Sequence, residues 1–271
     1  MKISGNIRKM LTQLDNPVQY ALPLNNNLER AECVEMNQFI GKKIKISFEN
    51  QINCVVTGKQ IKKAYGEGMS YDAFRSSPFA VESIIRPELS RAHEGIGLRD
   101  LEWEIKHDIQ PHIVYIALTS SMKVGVTRKT QVPTRWIDQG AWKALPIAET
   151  PYRQAAGLIE VALKNHISDK TNWRKMLTNQ MDWEKDIITV KDELLSYIPE
   201  NLQEFTKTDE HITEIQYPVQ KYPTKVSSMK LDKTPIIEGI LNGIRGQYLL
   251  FDNNRVINIR SHSGYSISLE A

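Results

Sequence analysis

Between His112 and Gln180 the chain carries ten basic residues (Lys123, Arg128, Lys129, Arg135, Lys143, Arg153, Lys164, Lys170, Arg174, Lys175) against four acidic ones (Asp138, Glu149, Glu160, Asp169). The whole chain, with 35 basic and 32 acidic residues, nets only +3, so the remainder is acidic at 25 against 28. A local surplus of cations is the electrostatic footprint of a polyanionic partner. Inside it, Asp169–Leu177 (DKTNWRKML) interleaves Lys170, Arg174 and Lys175 with Trp173. Cations around an aromatic ring suit a nucleic-acid backbone and a stacked base. The same run also reads as a helix start capped by Asp169, with Trp173 anchored in the core. Near the C-terminus, GIRGQYLLFDNNRVINIRSHSGY sets Arg245, Arg260 and His262 among closely spaced strands. Small β-barrels of that kind bind oligonucleotides.

Thiol and imidazole chemistry is thinner. Cys33 and Cys54 form no C-x-x-C pair, and of six histidines only His107 and His112 have a ligand-like spacing. Two thiols do not complete a four-ligand zinc site without histidines. Inert buried thiols in a reducing compartment are the plain reading. No apolar run approaches the roughly 18–20 residues of a membrane helix. The opening MKISGNIRKMLTQLDN holds no signal-like apolar stretch. The expected location is cytoplasmic, with no membrane partner.

At 41% hydrophobic and 25% charged, the composition is globular and excludes disorder, collagen and a simple coiled coil. The length, 271 residues, predicts one large domain or two smaller ones. A short helix is predicted over Ile7–Leu14. Alternation at Ile44, Ile46 and Phe48 predicts a strand, with a turn at Asn50-Gln51 into a partner strand, Ile52–Val56. From Thr57 to Gln110 no period of 2 or 3.6 persists. His112–Thr119 and Lys123–Arg128 read as a β-hairpin around Ser120-Ser121-Met122. That register sets Thr119 opposite Lys123, Ala117 opposite Gly125 and Tyr115 opposite Thr127. Val114, Ile116, Leu118, Val124 and Val126 then share the core face. Pro133 opens a helix that stops at Gly140. A second helix, from Pro151 to about His166, has the stripe Ala155, Leu158, Ile159, Ala162 and Leu163. A third spans Asp182–Tyr197 with Trp183, Ile187, Val190 and Leu194. Glu200–Lys233 reads as a polar linker, and strands close the chain at Ile236–Ile244, Gln247–Phe251, Val256–Ile259 and Tyr265–Leu269.

The string VYIALTSSMKVGVTRKTQVPTRW, followed by GLIEVAL, resembles the GIY-YIG endonuclease superfamily over roughly residues 110–180. Val114-Tyr115 stands where its "IY" would be and Lys123-Val124-Gly125 where "YIG" would be. Arg135 lies on the Pro133 helix and Glu160 on the Pro151 helix. The resemblance implies metal-dependent phosphodiester hydrolysis. Tyr115 with water would act as base, Arg135 would hold the scissile phosphate, and Glu160 would bind one Mg²⁺ or Mn²⁺. Lys123 replaces the second tyrosine, and His112 is a candidate proton acceptor. The residue types suit the chemistry: Mg²⁺ takes one or two carboxylates and keeps several waters, and guanidinium forks onto phosphate. The small residues around Tyr115 (Ala117, Gly125, Thr127) leave room for a backbone to approach. Glu160 falls about 140° around its helix from Ala155, which places it on the flank of the apolar stripe near Ala156 and outside the core. Ordinary readings stand beside these: a strand tyrosine at 115, and a Glu160–Lys164 surface pair.

A wider resemblance, carried by YALPLNNN, GKKI, KVGVTR, QVPTRWIDQGA, HISDKTNWRKML, GIRGQYLLF and NIRSHSGY, is to an uncharacterised bacterial domain family within that superfamily. Its members have a cysteine-rich, zinc-binding insert before the hairpin. Here only Cys54 remains; Thr57, Ser70 and Ala73 stand at the other positions. The resemblance therefore implies an insert that has lost its ligands, with no structural zinc expected, and Tyr65, Tyr71, Phe74, Phe79 and Trp103 as a substitute core.

The expected fold is α+β: a GIY-YIG-like αβ module plus a β-rich domain built from both ends of the chain. The expected divisions are an N-terminal β segment (1–56), a degenerate zinc-ribbon-like insert (57–110), the module (111–200), a linker (201–233) and a C-terminal β segment (234–271). The expected function is nucleic-acid processing by a divalent-metal-dependent nuclease acting on DNA or RNA. Its catalytic candidates are Tyr115, Arg135, Glu160, Lys123 and His112, and its nucleic-acid contacts Arg128, Lys129, Lys164, Lys170, Trp173 and Arg174. The alternatives are a nucleic-acid-binding module that no longer cuts and a protein-interaction scaffold.

Overall fold

The computed structural model describes residues 1–26, 29–181, 186–208 and 211–271, with the backbone alone at 29–31. The strands, in chain order, are β1 (Lys2–Ile7), β2 (Leu11–Gln13), β3 (Gln19–Asn26), β4 (Glu29–Glu35), β5 (Lys43–Asn53), β6 (Gln60–Ile61), β7 (His112–Leu118), β8 (Met122–Arg128), β9 (Lys143–Thr150), β10 (Thr213–Glu214), β11 (Ser227–Met229), β12 (Ile236–Arg245), β13 (Tyr248–Phe251), β14 (Arg255–Asn258) and β15 (Tyr265–Glu270). The helices are α1 (Tyr71–Ser76), α2 (Leu101–Asp108), α3 (Thr134–Asp138), α4 (Arg153–Leu163), α5 (Trp173–Leu177) and α6 (Ile187–Leu195). The fold is α+β and divides into two compact units.

The first unit comprises Met1–Arg75, Leu177–Asn179 and Ile215–Ala271 and is a β structure drawn from both ends of the chain. Its sheet runs β11-β14-β13-β12-β5-β15-β1-β3-β2, with β4 on β3 and β6 on β5. The predicted Ile7–Leu14 helix does not form. Lys2–Ile7 instead pairs with the last strand, Lys2 opposite Glu270, and Leu11–Gln13 pairs with β3. Such partners lie too far along the chain for a local pattern to announce them. The predicted Asn50-Gln51 turn is also absent. β5 continues through it, and Asn50 takes a left-handed φ of 55° where the β5–β15 register shifts. Asn tolerates that conformation, so a turn-like pair marks a bulge inside a strand.

The predicted irregular stretch, Thr57–Gln110, is divided between the two units. Around Cys54 the four positions singled out do converge: Ser70 N–H donates to Cys54 Sγ at 3.2 Å and Ala73 N–H to Ser70 Oγ at 3.2 Å. Burial pushes the Cys54 thiol up, but hydrogen bonds from Thr57, Ser70 and Val56 outweigh it and bring it down to about 7. The aromatic residues form no substitute core. Tyr65, Tyr71 and Phe74 cluster in the first unit, and Phe79 meets Trp103 in the second. Tyr71, Phe74 and Phe79 are solvent-exposed.

The second unit, Ser76–Met176 and Gln180–Glu214, is built on an antiparallel sheet of order β10-β9-β7-β8. β7 lies at its centre and is buried along all seven residues. The predicted hairpin forms with a different register. Leu118 faces Met122, Ala117 faces Lys123, and Tyr115 faces Gly125, so the loop is Thr119–Ser121. A slip of two preserves the faces. Val114, Ile116, Leu118, Met122 and Val124 enter one core with Ala155, Ala156, Ile159 and Leu163 of α4. Full burial of each large aliphatic side chain is worth about 1.5–3 kcal/mol. Leu158, predicted in that stripe, is 41% exposed.

Pro146 masks β9 in the sequence, because proline argues against an inner strand; it sits where the β7–β9 register shifts. Pro133 precedes α3 as its cap position instead of opening it. Asn172, not Asp169, caps α5, its Oδ1 accepting Lys175 N–H at 3.2 Å. The predicted Asp182–Tyr197 helix is seen as α6, capped by Asp186; Asp182 and Trp183 lie outside the described residues. The predicted linker holds a 3₁₀ turn, Glu200–Phe205, and the short strands β10 and β11. Gly157 lets α4 approach the 3₁₀ turn Pro87–Leu89: a Cβ there would lie 2.2 Å from Glu88 N.

Candidate active site

Four elements of the second unit deliver Tyr115, Lys123, Arg135 and Glu160 to one polar group. Tyr115 stands on β7 with its ring across Gly125 of β8. A Cβ at Gly125 would lie 2.7 Å from Tyr115 Oη, so the glycine's room is filled by the tyrosine ring, not kept for an approaching backbone. The Tyr115 hydroxyl donates to Gln139 Oε1 at 2.9 Å, and its ring lies 5.8 Å from that of Trp136. Burial raises the phenol above its ordinary value; the Arg135 guanidinium works against the rise and the Glu160 carboxylate adds to it.

Lys123 projects on the same face and is buried. Its ammonium donates to the Asp169 carbonyl at 3.2 Å. Burial, helped by the like charge of Arg135, brings it down to about 8, while Glu160 and Asp169 pull the other way. Glu160, on α4, is 8% exposed: the flank position beside Ala156, expected to keep it out of the core, is buried in the fold. Burial raises its carboxyl, opposed by Lys164 and Lys123 and reinforced by Asp169. Lys164 Nζ stands 3.6 Å from Glu160 Oε2 and 3.6 Å from Asp169 Oδ2, a cation between two carboxylates. Arg135, half-buried on α3, is the common charged neighbour of Tyr115 and Lys123.

His112 stands apart from this group. It pairs with Arg128 at the base of the hairpin, and its Nδ1 lies 2.7 Å from the Gln110 carbonyl. Burial lowers it to about 4, and its charged neighbours are Arg153, Asp108 and Arg128. Lys129 pairs with Glu149 at 2.7 Å, as does Lys207. Lys170 and Arg174 are exposed, and the Arg174 guanidinium lies 4.3 Å from the centroid of the half-buried Trp173 ring. In the first unit, Arg245 is fully buried beside Tyr217 and Tyr222, Arg260 pairs with Glu67, and His262 Nε2 accepts Leu231 N–H. Those three serve the fold of their unit.

Gln139 and Asp169 join the site through contacts from other elements. No spacing marks Gln139; Asp169 is visible in the sequence only as a cap. Among the described residues no group of three or more His, Cys, Asp and Glu side chains could hold a metal ion. Glu160 and Asp169 are the carboxylates nearest this group, and the Lys164 ammonium stands between them. No helix is long and apolar enough to cross a membrane among the described residues.

No curated protein and no solved structure matches the chain. Residues 41–267 match the family described as "Protein of unknown function (DUF2797)", and the chain belongs to that family.

Proposed function

We propose that the chain processes nucleic acid as a divalent-metal-dependent phosphodiester hydrolase of the GIY-YIG kind. One observation carries this reading: the buried Tyr115, Lys123 and Glu160 side chains, from three separate elements, meet the half-buried Arg135 of a fourth, which faces both Tyr115 and Lys123, while Glu160 faces the same two. Groups perturbed by burial together with specific charged partners mark sites of chemistry. Glu160, with Asp169 beside it, would hold Mg²⁺ or Mn²⁺. When bound, that ion would polarise the phosphodiester as a Lewis acid. Arg135 would clamp the scissile phosphate. Lys123, neutral above a pH of about 8, is the proton acceptor. Tyr115, held protonated and bonded to Gln139, orients the site through its hydroxyl. Lys129, Lys170 and Arg174 would meet the phosphate backbone outside it.

Purified protein with Mg²⁺ or Mn²⁺ is expected to cleave DNA or RNA. Glu160→Gln is expected to lower the rate by about 10²–10³, the usual loss on removing one charge-stabilising group. Equal cleavage by the variant overturns the assignment. The full burial of Tyr115 favours a second reading, a module that binds without cutting. Salt-dependent binding that survives EDTA, with no cleavage under either metal, selects it. No binding to any polyanion, with a stable protein partner on pull-down, selects a scaffold.

A further inference from the structure

Two depressions flank the tip of the β7–β8 hairpin, both within the second unit. One, about 530 Å³, is lined by Ser120, Thr171, Trp173 and the cations Lys170, Arg174 and Lys175. The other, about 600 Å³, is lined by His166, Glu193 and Tyr197. Both include Ser121 and Ser168, so they meet at the hairpin tip. Each end carries an aromatic platform. Trp173 is half-buried, with Arg174 at its ring. Tyr197 is 46% exposed and lies flat on His166, centroids 3.4 Å apart and planes 10° apart, which fixes its ring.

We propose that this surface is a track for a single-stranded polynucleotide, with Trp173 and Tyr197 stacking unpaired bases and Lys170, Arg174 and Lys175 following the phosphates. The proposal rests on the nucleic-acid part of the function above and names its substrate class. A duplex hides the faces of its bases, so ring platforms serve it poorly; unpaired bases stack on aromatic rings whatever their sequence. The backbone under the track is fixed in advance. Asn172 N–H donates to Ser120 Oγ at 3.1 Å, Thr171 Oγ1 to Thr119 Oγ1 at 3.2 Å, and Val124 N–H to the Ser168 carbonyl at 2.9 Å. The track also passes the candidate active site. Asp169, between Ser168 and Lys170, accepts from the Lys123 ammonium and pairs with Lys164. A strand crossing there would run along the Ser168–Lys170 segment that carries Asp169.

The test is fluorescence anisotropy of the full chain in EDTA at low salt. The probes are labelled oligo-dT and oligo-U of about 15 nucleotides, close to the upper site size of known single-strand modules, and a duplex of the same length. One or both single strands are expected to bind at least about tenfold tighter than the duplex, the size of one base stack. Trp173→Ala and Tyr197→Ala are each expected to weaken single-strand binding by about tenfold, with Trp173→Phe retaining most of it. Lys170→Ala is expected to flatten the salt dependence. Far-ultraviolet circular dichroism checks that each variant is folded. Equal or tighter duplex binding, unchanged binding in both aromatic variants, or no binding to any probe overturns the track. Cleavage without single-strand preference sinks the track and leaves the hydrolase. Single-strand preference without cleavage, retained in Glu160→Gln, leaves the track and sinks the hydrolase.

Discussion

At the base of the β7–β8 hairpin, Arg153 donates to the carbonyls of Ser83 at 2.8 Å and Ile84 at 3.1 Å and faces Asp108 at 3.9 Å. Nearer the tip, Lys123 has one carbonyl, that of Asp169, and shares its surroundings with Arg135 and Glu160. Both groups of charge are buried, and their consequences differ. At the base, burial disfavours the Asp108 carboxylate, yet His107, Ser90 and Arg153 together hold it below its ordinary range. Nearer the tip, Lys123 is pushed down and Glu160 up, each toward its neutral form. A charge locked by backbone carbonyls and an opposite partner holds a fold together. Charges whose partners do not offset the cost of burial are held near proton exchange.

The sharpest way to break this contrast is at Arg153. Arg153→Ala leaves Asp108 buried without its cation and two carbonyls without donors. Removing one partner of a buried pair costs about 3–5 kcal/mol, and urea unfolding is expected to show a loss of that size. Arg153→Lys recovers only part of it, because one ammonium does not span both carbonyls and the carboxylate. A loss below about 1 kcal/mol in Arg153→Ala, typical of exposed pairs, makes the base no more structural than a surface ion pair.

A second test uses pH at the same end. His112 falls to about 4 in the folded chain from 6.5 unfolded, chiefly through burial, and its Nε2 finds no hydrogen-bond partner among the described residues. Between those values the unfolded chain binds the extra proton, so stability is intact above pH 6.5 and declines as pH falls toward 4. The slope for one proton is about 1.4 kcal/mol per pH unit. His112→Asn keeps a donor for the Gln110 carbonyl and removes the titration. It is expected to flatten that decline in urea unfolding at a series of pH values. An unchanged slope assigns the acid lability to other groups.

The two clusters were unequally legible in the sequence. Alternation placed Tyr115 and Lys123 on one face and Val114, Ile116 and Val124 on the other; the two-residue register error left this intact because the strand period is 2. The helical angle placed Glu160 on the flank of α4 and outside the core, yet packing from other elements buries it. The base was not legible. Asp108, Ser90 and Arg153 lie on a helix, a 3₁₀ margin and a second helix, and only folding joins Ser90 Oγ to Asp108 Oδ2 at 2.6 Å. β9 was hidden by Pro146, and β1 by a partner at the other end of the chain. Periodicity reports the face a residue occupies, whereas partners from distant elements decide what its charge becomes there.

The smallest expected effect on stability belongs to Lys123, and it tests the other half of the comparison. Its value of about 8 in the fold lies below 10.5 in the unfolded chain. Below pH 8 the ammonium is buried at a penalty; between 8 and 10.5 the folded chain loses its proton first and stability rises with pH. Lys123→Met removes the penalty together with one hydrogen bond to Asp169. Among the described residues Lys123 has no carboxylate within ion-pair distance, so its removal relieves an uncompensated burial of charge, and at pH 7 the variant is expected within about 1 kcal/mol of the parent or above it. The alkaline rise in stability is expected to disappear, and the cleavage proposed above to fall while folding is retained. A loss of several kcal/mol at pH 7 makes Lys123 as structural as Arg153, and the contrast between base and tip fails.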